Sequence, residues 1–121
     1  MDNNTTIQEL KKKIQAFCEE RDWDQFHNPK DLAIGISTES NELLDVFRFQ
    51  SIEQMKELFA NPSSRKHIED ELADTFFFIL RFAQMNNIDL DSALDAKISK
   101  NSKRYTVENS KGKNNKIIAT E

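Results

Sequence analysis

The 121-residue chain has only two glycines, two prolines and one cysteine. An all-β sandwich or barrel of this length needs many tight turns, which are commonly built from Gly, Pro or Asn-Gly, so the scarcity excludes that class. The single cysteine, Cys18, allows no intramolecular disulfide and is typical of a protein in a reducing compartment. We therefore expect a mostly helical protein that folds without disulfides.

The chain also lacks an excess of basic charge and a long hydrophobic run. Its 17 basic and 21 acidic side chains leave a net charge of −4, whereas a nucleic-acid binder needs Lys and Arg to neutralise phosphates. The N-terminus has no apolar targeting segment, and Asp74 and Arg81 interrupt the longest apolar stretch. We expect no nucleic-acid polymer and no membrane among its partners, and a cytoplasmic location.

Apolar residues are also scarce, at 37% of the chain, below the roughly 45–50% of ordinary globular domains. One domain is expected at this length, and its core would be thin in a monomer. The deficit therefore indicates a homo-oligomer whose chains share apolar surface.

Hydrophobic periodicity predicts about four main helices and a shorter one. Apolar spacing and polar caps place the main helices at residues 5–21, 30–49, 63 or 64 to 86, and 89 or 91 to 103, with the shorter one at 51–60. After Tyr105 the periodicity is lost. We accordingly divide the chain into a helical domain, residues 1–107, and a flexible Lys/Asn-rich tail, residues 108–121.

Four carboxylates fall on predicted helix faces that also carry apolar residues. Glu39 and Glu42 are three residues apart on the second helix, and Glu71 and Asp74 are three apart on the third main helix, just before an apolar run. Such spacing makes the side chains of each pair neighbours, so two packed helices can present four buried carboxylates to one or two cations. All-oxygen ligation favours Mg²⁺, for which Mn²⁺ can substitute.

The residues leave one alternative open and exclude two others. Buried acids more often pair with a basic side chain than with a metal, and Arg48 and Arg81 are close enough in sequence to do so. A di-iron bundle requires Glu-x-x-His motifs, but neither His27 nor His67 has a glutamate three residues before it. Zinc is excluded by the single cysteine and the two scattered histidines.

These acids stand in a pattern that resembles a known family. Glu39-Ser40-Asn41-Glu42 followed by Glu71-Leu72-Ala73-Asp74 is similar to the ExxE…ExxD signature of the all-α MazG-like nucleoside triphosphate pyrophosphohydrolases. The nearest resemblance is to their dCTP pyrophosphatase branch. It extends to the flanks, which are residues 20–30, Lys97, Asn101 and the Arg104-Tyr105 pair, and covers residues 7–113.

The resemblance implies a MazG-like bundle, assembled as an intertwined homo-oligomer in which a tetramer, a dimer of dimers, is favoured over a dimer. The implied reaction cleaves dCTP, or related and modified pyrimidine nucleotides, between the α and β phosphates to the monophosphate and pyrophosphate, for nucleotide-pool sanitation. Glu39, Glu42, Glu71 and Asp74 would hold Mg²⁺, and Glu39 or Glu42 would be the general base. The implied substrate-binding residues are Trp23, His27, Phe49, Phe78, Lys97, Asn101, Arg104 and Tyr105.

Departures from the family pattern concern the nucleobase. Phe49 stands where relatives can have a stacking Trp, Phe78 where a Tyr can reach the ligand, and Ile14 where a His can occur, while Thr106 replaces a Pro. Phe keeps a stacking face but cannot hydrogen-bond, so these changes affect base selectivity and leave the metal chemistry untouched. Two other functions stay open: a non-catalytic helical oligomer that binds nucleotide and metal as a sensor or antitoxin-like partner, and hydrolysis of noncanonical purine triphosphates.

Overall fold

The computed structural model describes residues 1–118 and divides into two units, Met1–Asn87 and a second that begins at Ile88. The first unit contains α1 (Ile7–Glu20), α2 (Pro29–Phe47), α3 (Ile52–Ala60) and α4 (Pro62–Met85), with a 3-10 helix at Asp24–Phe26, and the second contains α5 (Leu90–Arg104) and α6 (Val107–Ser110). Residues 1–118 contain no strand, so the all-α prediction is confirmed. Within the same range, no helix has both the length and the apolar character needed to cross a membrane.

Polar caps explain where the helices begin. The side chains of Thr6, Asn28 and Ser51 each accept a hydrogen bond from the backbone amide three residues later, at 3.1, 2.9 and 3.1 Å. Ser51 also forms a capping box, because the side chain of Gln54 accepts from its backbone amide at 2.8 Å. Each cap gives a partner to an amide that the helix itself leaves without one.

The two prolines open helices rather than separate them. Pro29 and Pro62 occupy the first turns of α2 and α4, so these helices begin one or two residues earlier than predicted. This position suits proline because its missing N–H would have no partner there. At the other end, α2 stops at Phe47 and not at the predicted residue 49, since Phe49 has a φ of 66°, outside the helical region.

The segment after α5 includes the short helix α6, which overlaps the start of the tail predicted at residues 108–121. Further along, the carbonyl of Ile117 accepts a hydrogen bond from Arg104 Nε, and its amide donates to the Tyr105 hydroxyl at 3.3 Å. Residues 119–121 of the predicted tail lie outside the described residues. The division between units follows Asn87, ahead of the domain boundary predicted at residue 107.

Helix α4 is the centre of the first unit and packs against α1, α2 and α3. Few apolar side chains are fully buried: Cys18 on α1, Leu32 on α2, and Ile68, Leu80 and Ala83 on α4. Large apolar side chains are exposed elsewhere, including Leu44 and Ile52. The core is thus thin, as the low apolar content predicts.

A close approach at Gly35 brings α2 against α4. A Cβ atom added to Gly35 would lie 2.5 Å from the ring of Phe78. Phe78 packs edge-on against Phe77 with ring centroids 5.4 Å apart, and Phe77 packs edge-on against Phe17 of α1 at 6.0 Å. These aromatic contacts join three helices around one short helix-to-helix distance.

Candidate metal centre

Two packed helices bring three glutamates together. Glu39 and Glu42 lie one turn apart on α2, and Glu71 faces them from α4. One carboxylate oxygen of each lies within 4.8 Å of the other two. The sequence predicts that the two acidic pairs come together across this helix contact. Three of the four acids do so.

Asp74 and Glu42 are more exposed than predicted. Glu39 and Glu71 are half-buried, whereas Glu42 and Asp74 are exposed to solvent. Asp74 also lies outside the group of three oxygens, although its negative charge acts on both Glu39 and Glu71. The expectation of four buried carboxylates was wrong because a helix face that carries apolar residues also includes positions at the solvent-facing margins of the helix contact.

Glu39 and Glu71 carry oxygen atoms with unsatisfied hydrogen-bonding capacity. In each residue Oε2 is buried and has no hydrogen-bond partner within residues 1–118. A buried carboxylate oxygen without a donor is unfavourable, so native proteins supply a proton, a donor or a cation. These two oxygen atoms are therefore suited to bind a proton or a cation.

The electrostatics of the cluster agree with that inference. Burial raises the pKa of the Glu39 carboxyl to about 7, and a hydrogen bond with Glu42 and the charges of Glu42, Asp74 and Glu71 act in the same direction. Burial likewise raises the pKa of Glu71, assisted by Glu42 and Asp74 and opposed by His67. Carboxylates held this close favour proton or cation binding.

The two arginines that could have neutralised the cluster bind elsewhere. Arg48 Nη1 lies 3.8 Å from Asp45 on the exposed side of α2, and Arg81 pairs with Asp24. The cluster's only basic neighbour in the described part of the chain is His67, whose Nδ1 is 3.8 Å from Glu71 Oε1. The alternative that Arg48 or Arg81 pairs with the cluster is therefore wrong. An all-oxygen donor set with two orphaned oxygens fits a hard divalent cation.

The residues expected to contact the nucleobase have different surroundings. Trp23 is partly exposed and packs edge-on against Phe17 at 5.5 Å and His27 at 6.4 Å between ring centroids. Phe78 is half-buried beneath Gly35. Phe49, by contrast, is 89% exposed just beyond the end of α2.

The residues expected to contact phosphate or sugar belong to the second unit. Lys97 and Asn101 lie on α5, Arg104 is its last residue and Tyr105 follows it. Lys97, Asn101 and Arg104 share the lining of a pocket with Lys100 and Lys103. The α5 end thus combines four cationic side chains with one amide.

A further group of polar residues was missed by the sequence interpretation. Arg81 is buried within α4 and hydrogen-bonds to His27, Asp24 and Gln84. Its position inside an apolar run was visible in the sequence, but its partners are more than 50 residues away along the chain, apart from Gln84. Only the fold shows that Arg81 hydrogen-bonds to the segment between α1 and α2.

Comparison with known proteins gives consistent similarities. Residues 34–117 match the model of the MazG-like family. The chain is 30% identical over 107 residues to dCTP pyrophosphatase 1 of Rattus norvegicus, covering 88% of this chain, and 28% identical over 100 residues to that of Homo sapiens, covering 83%. It spans 63% and 59% of the lengths of these two relatives. A crystal structure of a pyrophosphatase from Archaeoglobus fulgidus DSM 4304 superposes with a TM-score of 0.76 at 30% identity, covering 82% of this chain and 91% of the other.

Proposed function

The chain belongs to the MazG-like family, and from that premise we propose that it is a Mg²⁺-dependent nucleoside triphosphate pyrophosphohydrolase. The proposed substrate is dCTP or a related or modified pyrimidine nucleotide, and the products are the monophosphate and pyrophosphate. The names of the curated relatives support the substrate class. The observation that carries the proposal is the group of three glutamate oxygens with two unsatisfied acceptors and no arginine or lysine partner in residues 1–118.

Glu39, Glu42 and Glu71 would hold the metal, and the neighbouring Asp74 would complete the set. Bound Mg²⁺ would neutralise triphosphate oxygens and lower the pKa of the attacking water. Mn²⁺ has the same preference for oxygen ligands and could substitute. The geometry of two helices fixes these side chains without a glycine-rich phosphate loop.

A carboxylate of the cluster would act as the general base. The water oxygen forms a bond to the α phosphorus, the bond from that phosphorus to the α,β-bridging oxygen breaks, and pyrophosphate leaves while the water proton passes to the carboxylate. Glu39 and Glu42 are both candidates for this base, because both carboxylates belong to the cluster that would hold the metal.

The remaining expectations belong to the same proposal. Trp23, His27, Phe49 and Phe78 would form contacts with the base, and the side chains from the second unit would contact phosphate or sugar, namely Lys97, Asn101, Arg104 and Tyr105. We further propose a cytoplasmic enzyme of nucleotide-pool sanitation that assembles as a homotetramer. The thin core and the exposed apolar side chains support assembly.

The test is a product assay with a panel of dNTPs and Mg²⁺. We expect dCMP and pyrophosphate from dCTP, with activity abolished by EDTA and reduced at least about 100-fold in Glu71→Gln, since loss of a metal-ligand charge removes transition-state stabilisation. Glu69→Gln is the matched control, because Glu69 lies on the same helix but is exposed and pairs with Arg65.

Two outcomes would contradict the proposal. Orthophosphate and dCDP as products would exclude cleavage between the α and β phosphates. Metal-dependent nucleotide binding without turnover of any triphosphate would instead identify a sensor or another binding module.

A further inference from the structure

Arg81 is the one buried charged side chain in the described part of the chain, and it lies outside the carboxylate cluster. It is 1% exposed, in the apolar part of α4. A guanidinium taken out of water is unfavourable unless its N–H groups are occupied by acceptors. Its hydrogen-bond partners therefore show what it holds in place.

Each nitrogen of Arg81 has its own acceptor. Nε donates to His27 Nδ1 at 2.9 Å, Nη1 donates to Gln84 Oε1 at 2.7 Å, and Nη2 donates to Asp24 Oδ1. Gln84 in turn donates to the backbone carbonyl of Lys11 at 2.8 Å. Asp24 and His27 both belong to the connection between α1 and α2, so α4 holds this connection through one rigid, fork-shaped side chain.

The contact with His27 determines where the imidazole carries its proton. Arg81 has only donors, so His27 Nδ1 is the acceptor and carries no hydrogen, and the neutral ring is protonated on Nε2. Nε2 has no hydrogen-bond partner within residues 1–118 and remains able to donate. Burial and the charge of Arg81 lower the pKa of His27, against the opposing effect of Asp24, which favours the neutral ring.

We propose that Arg81 is a positioning residue for nucleobase recognition, holding His27 as the neutral Nε2–H tautomer beside the partly exposed ring of Trp23. The connection between α1 and α2 then presents two groups to a ligand, the fixed N–H donor of His27 and the aromatic face of Trp23. A fixed donor directed at N3 favours cytosine, whose N3 is an acceptor, over thymine, whose N3 carries a proton. This inference rests on the proposed function, since it takes the ligand to be a nucleotide.

The tautomer can be observed in the ligand-free, full-length protein. Nitrogen-15 labelling of histidine followed by long-range proton–nitrogen correlation at neutral pH should show an unprotonated Nδ1 and a protonated Nε2 for His27, assigned by comparison with His27→Gln. Arg81→Met should lose this single tautomer and give averaged nitrogen shifts. A His27 protonated on Nδ1 in the wild-type protein would overturn the inference, even where Arg81→Met fails to fold.

Kinetics test the consequence for the ligand. Arg81→Met should raise KM for dCTP about tenfold and reduce the preference for dCTP over dTTP, with kcat within about twofold, as expected for lost ground-state positioning. Arg65→Met is the matched control, because Arg65 is an exposed arginine on the same helix. Unchanged KM and selectivity in a folded Arg81→Met would overturn the inference while the proposed function stands.

Failure of the proposed function gives a different pattern. In that case no triphosphate is hydrolysed by the wild-type protein, and binding of the non-hydrolysable analogue α,β-imido-dCTP replaces kinetics as the measurement. Weaker binding by Arg81→Met than by Arg65→Met would then support the positioning inference, and equal binding would overturn it.

Discussion

At the scale of single residues, Glu39 would link stability to the proposed cation binding. Its carboxyl is half-buried among negative neighbours, and burial raises its pKa to about 7 from an ordinary value of 4.5. Without a cation, ionisation of Glu39 therefore opposes folding at neutral pH. Binding of a cation would reverse this effect and make the folded protein more stable.

Replacement of Glu39 by glutamine makes this linkage measurable. The stability contributed by the protonated carboxyl is fully present below about pH 4.5 and is lost as the pH rises to about 7, because the folded-state pKa lies above the unfolded one. Glu39→Gln cannot ionise. In EDTA, we expect the Tm of the variant minus that of the wild type to increase by about 4 °C between pH 5 and pH 8 in thermal unfolding scans.

Glu53→Gln provides the control for this experiment, since Glu53 is exposed on α3 and pairs with the exposed Lys56. The Tm of Glu53→Gln minus that of the wild type should not change over the same pH range. Added Mg²⁺ should raise the Tm of the wild type at pH 8 more than that of Glu39→Gln. A pH-independent effect of Glu39→Gln would show that its carboxyl titrates normally.

At the scale of helices, the contact of α2 with α4 depends on the missing side chain of Gly35. Alanine is the better helix former by about 1 kcal/mol. In this position, however, its Cβ would lie 2.5 Å from the Phe78 ring. Because helices in a packed core relax only partly, steric conflict should outweigh the gain in helix propensity.

We expect Gly35→Ala to lower the free energy of unfolding by about 1–3 kcal/mol, measured by denaturant titration. Ser37→Ala, an exposed substitution on the same helix, should be neutral or slightly stabilising. Adding Phe78→Leu to Gly35→Ala should recover part of the loss, giving a non-additive double-mutant cycle. A more stable Gly35→Ala would mean that α2 and α4 separate easily.

The helices were largely predictable because their determinants are local. Caps such as Thr6 and Ser51 and the apolar spacing lie within a few residues of the helices they define. The meeting of Glu39 with Glu71 could also be inferred, since each acidic pair marks one face of a helix. Local sequence signals do not indicate how much of a helix face the neighbouring helix covers. The exposure of Asp74 was therefore not predicted.

The hydrogen-bond partners of Arg81 could not be predicted from the sequence, for a related reason. Arg81 is close in sequence to Glu71 and Asp74, which left an ion pair with the acidic cluster open as an alternative. In the structure it binds Asp24 and His27 instead. Contacts between residues far apart along a chain depend on how helices are arranged, and neither composition nor periodicity specifies that arrangement.

At the scale of the whole molecule, the thin core predicts assembly. Exposed apolar side chains occur along the first unit, among them Ile34, Leu44, Ile52 and Leu72, which are 55–68% exposed. Where such side chains form one contiguous patch, the surface is typical of one that a partner covers. A shared core would also make folding of each chain depend on protein concentration.

We expect light scattering after gel filtration to give about four times the chain mass of 14.1 kDa. The Tm should rise with protein concentration over a hundredfold range, since association stabilises the folded chain. Lysozyme, a monomer of similar size, serves as the concentration control. A mass of one chain with a concentration-independent Tm would contradict the proposed assembly.

Cys18 offers a practical route to the arrangement of such an assembly. It is the only cysteine in the sequence, it is fully buried on α1, and burial raises the pKa of its thiol. Thiol reagents attack the exposed thiolate, so the native side chain is protected from them. A cysteine introduced on an exposed surface would be the single reactive thiol of each chain, and spin labels attached there would report the spacing between copies without removal of the native residue.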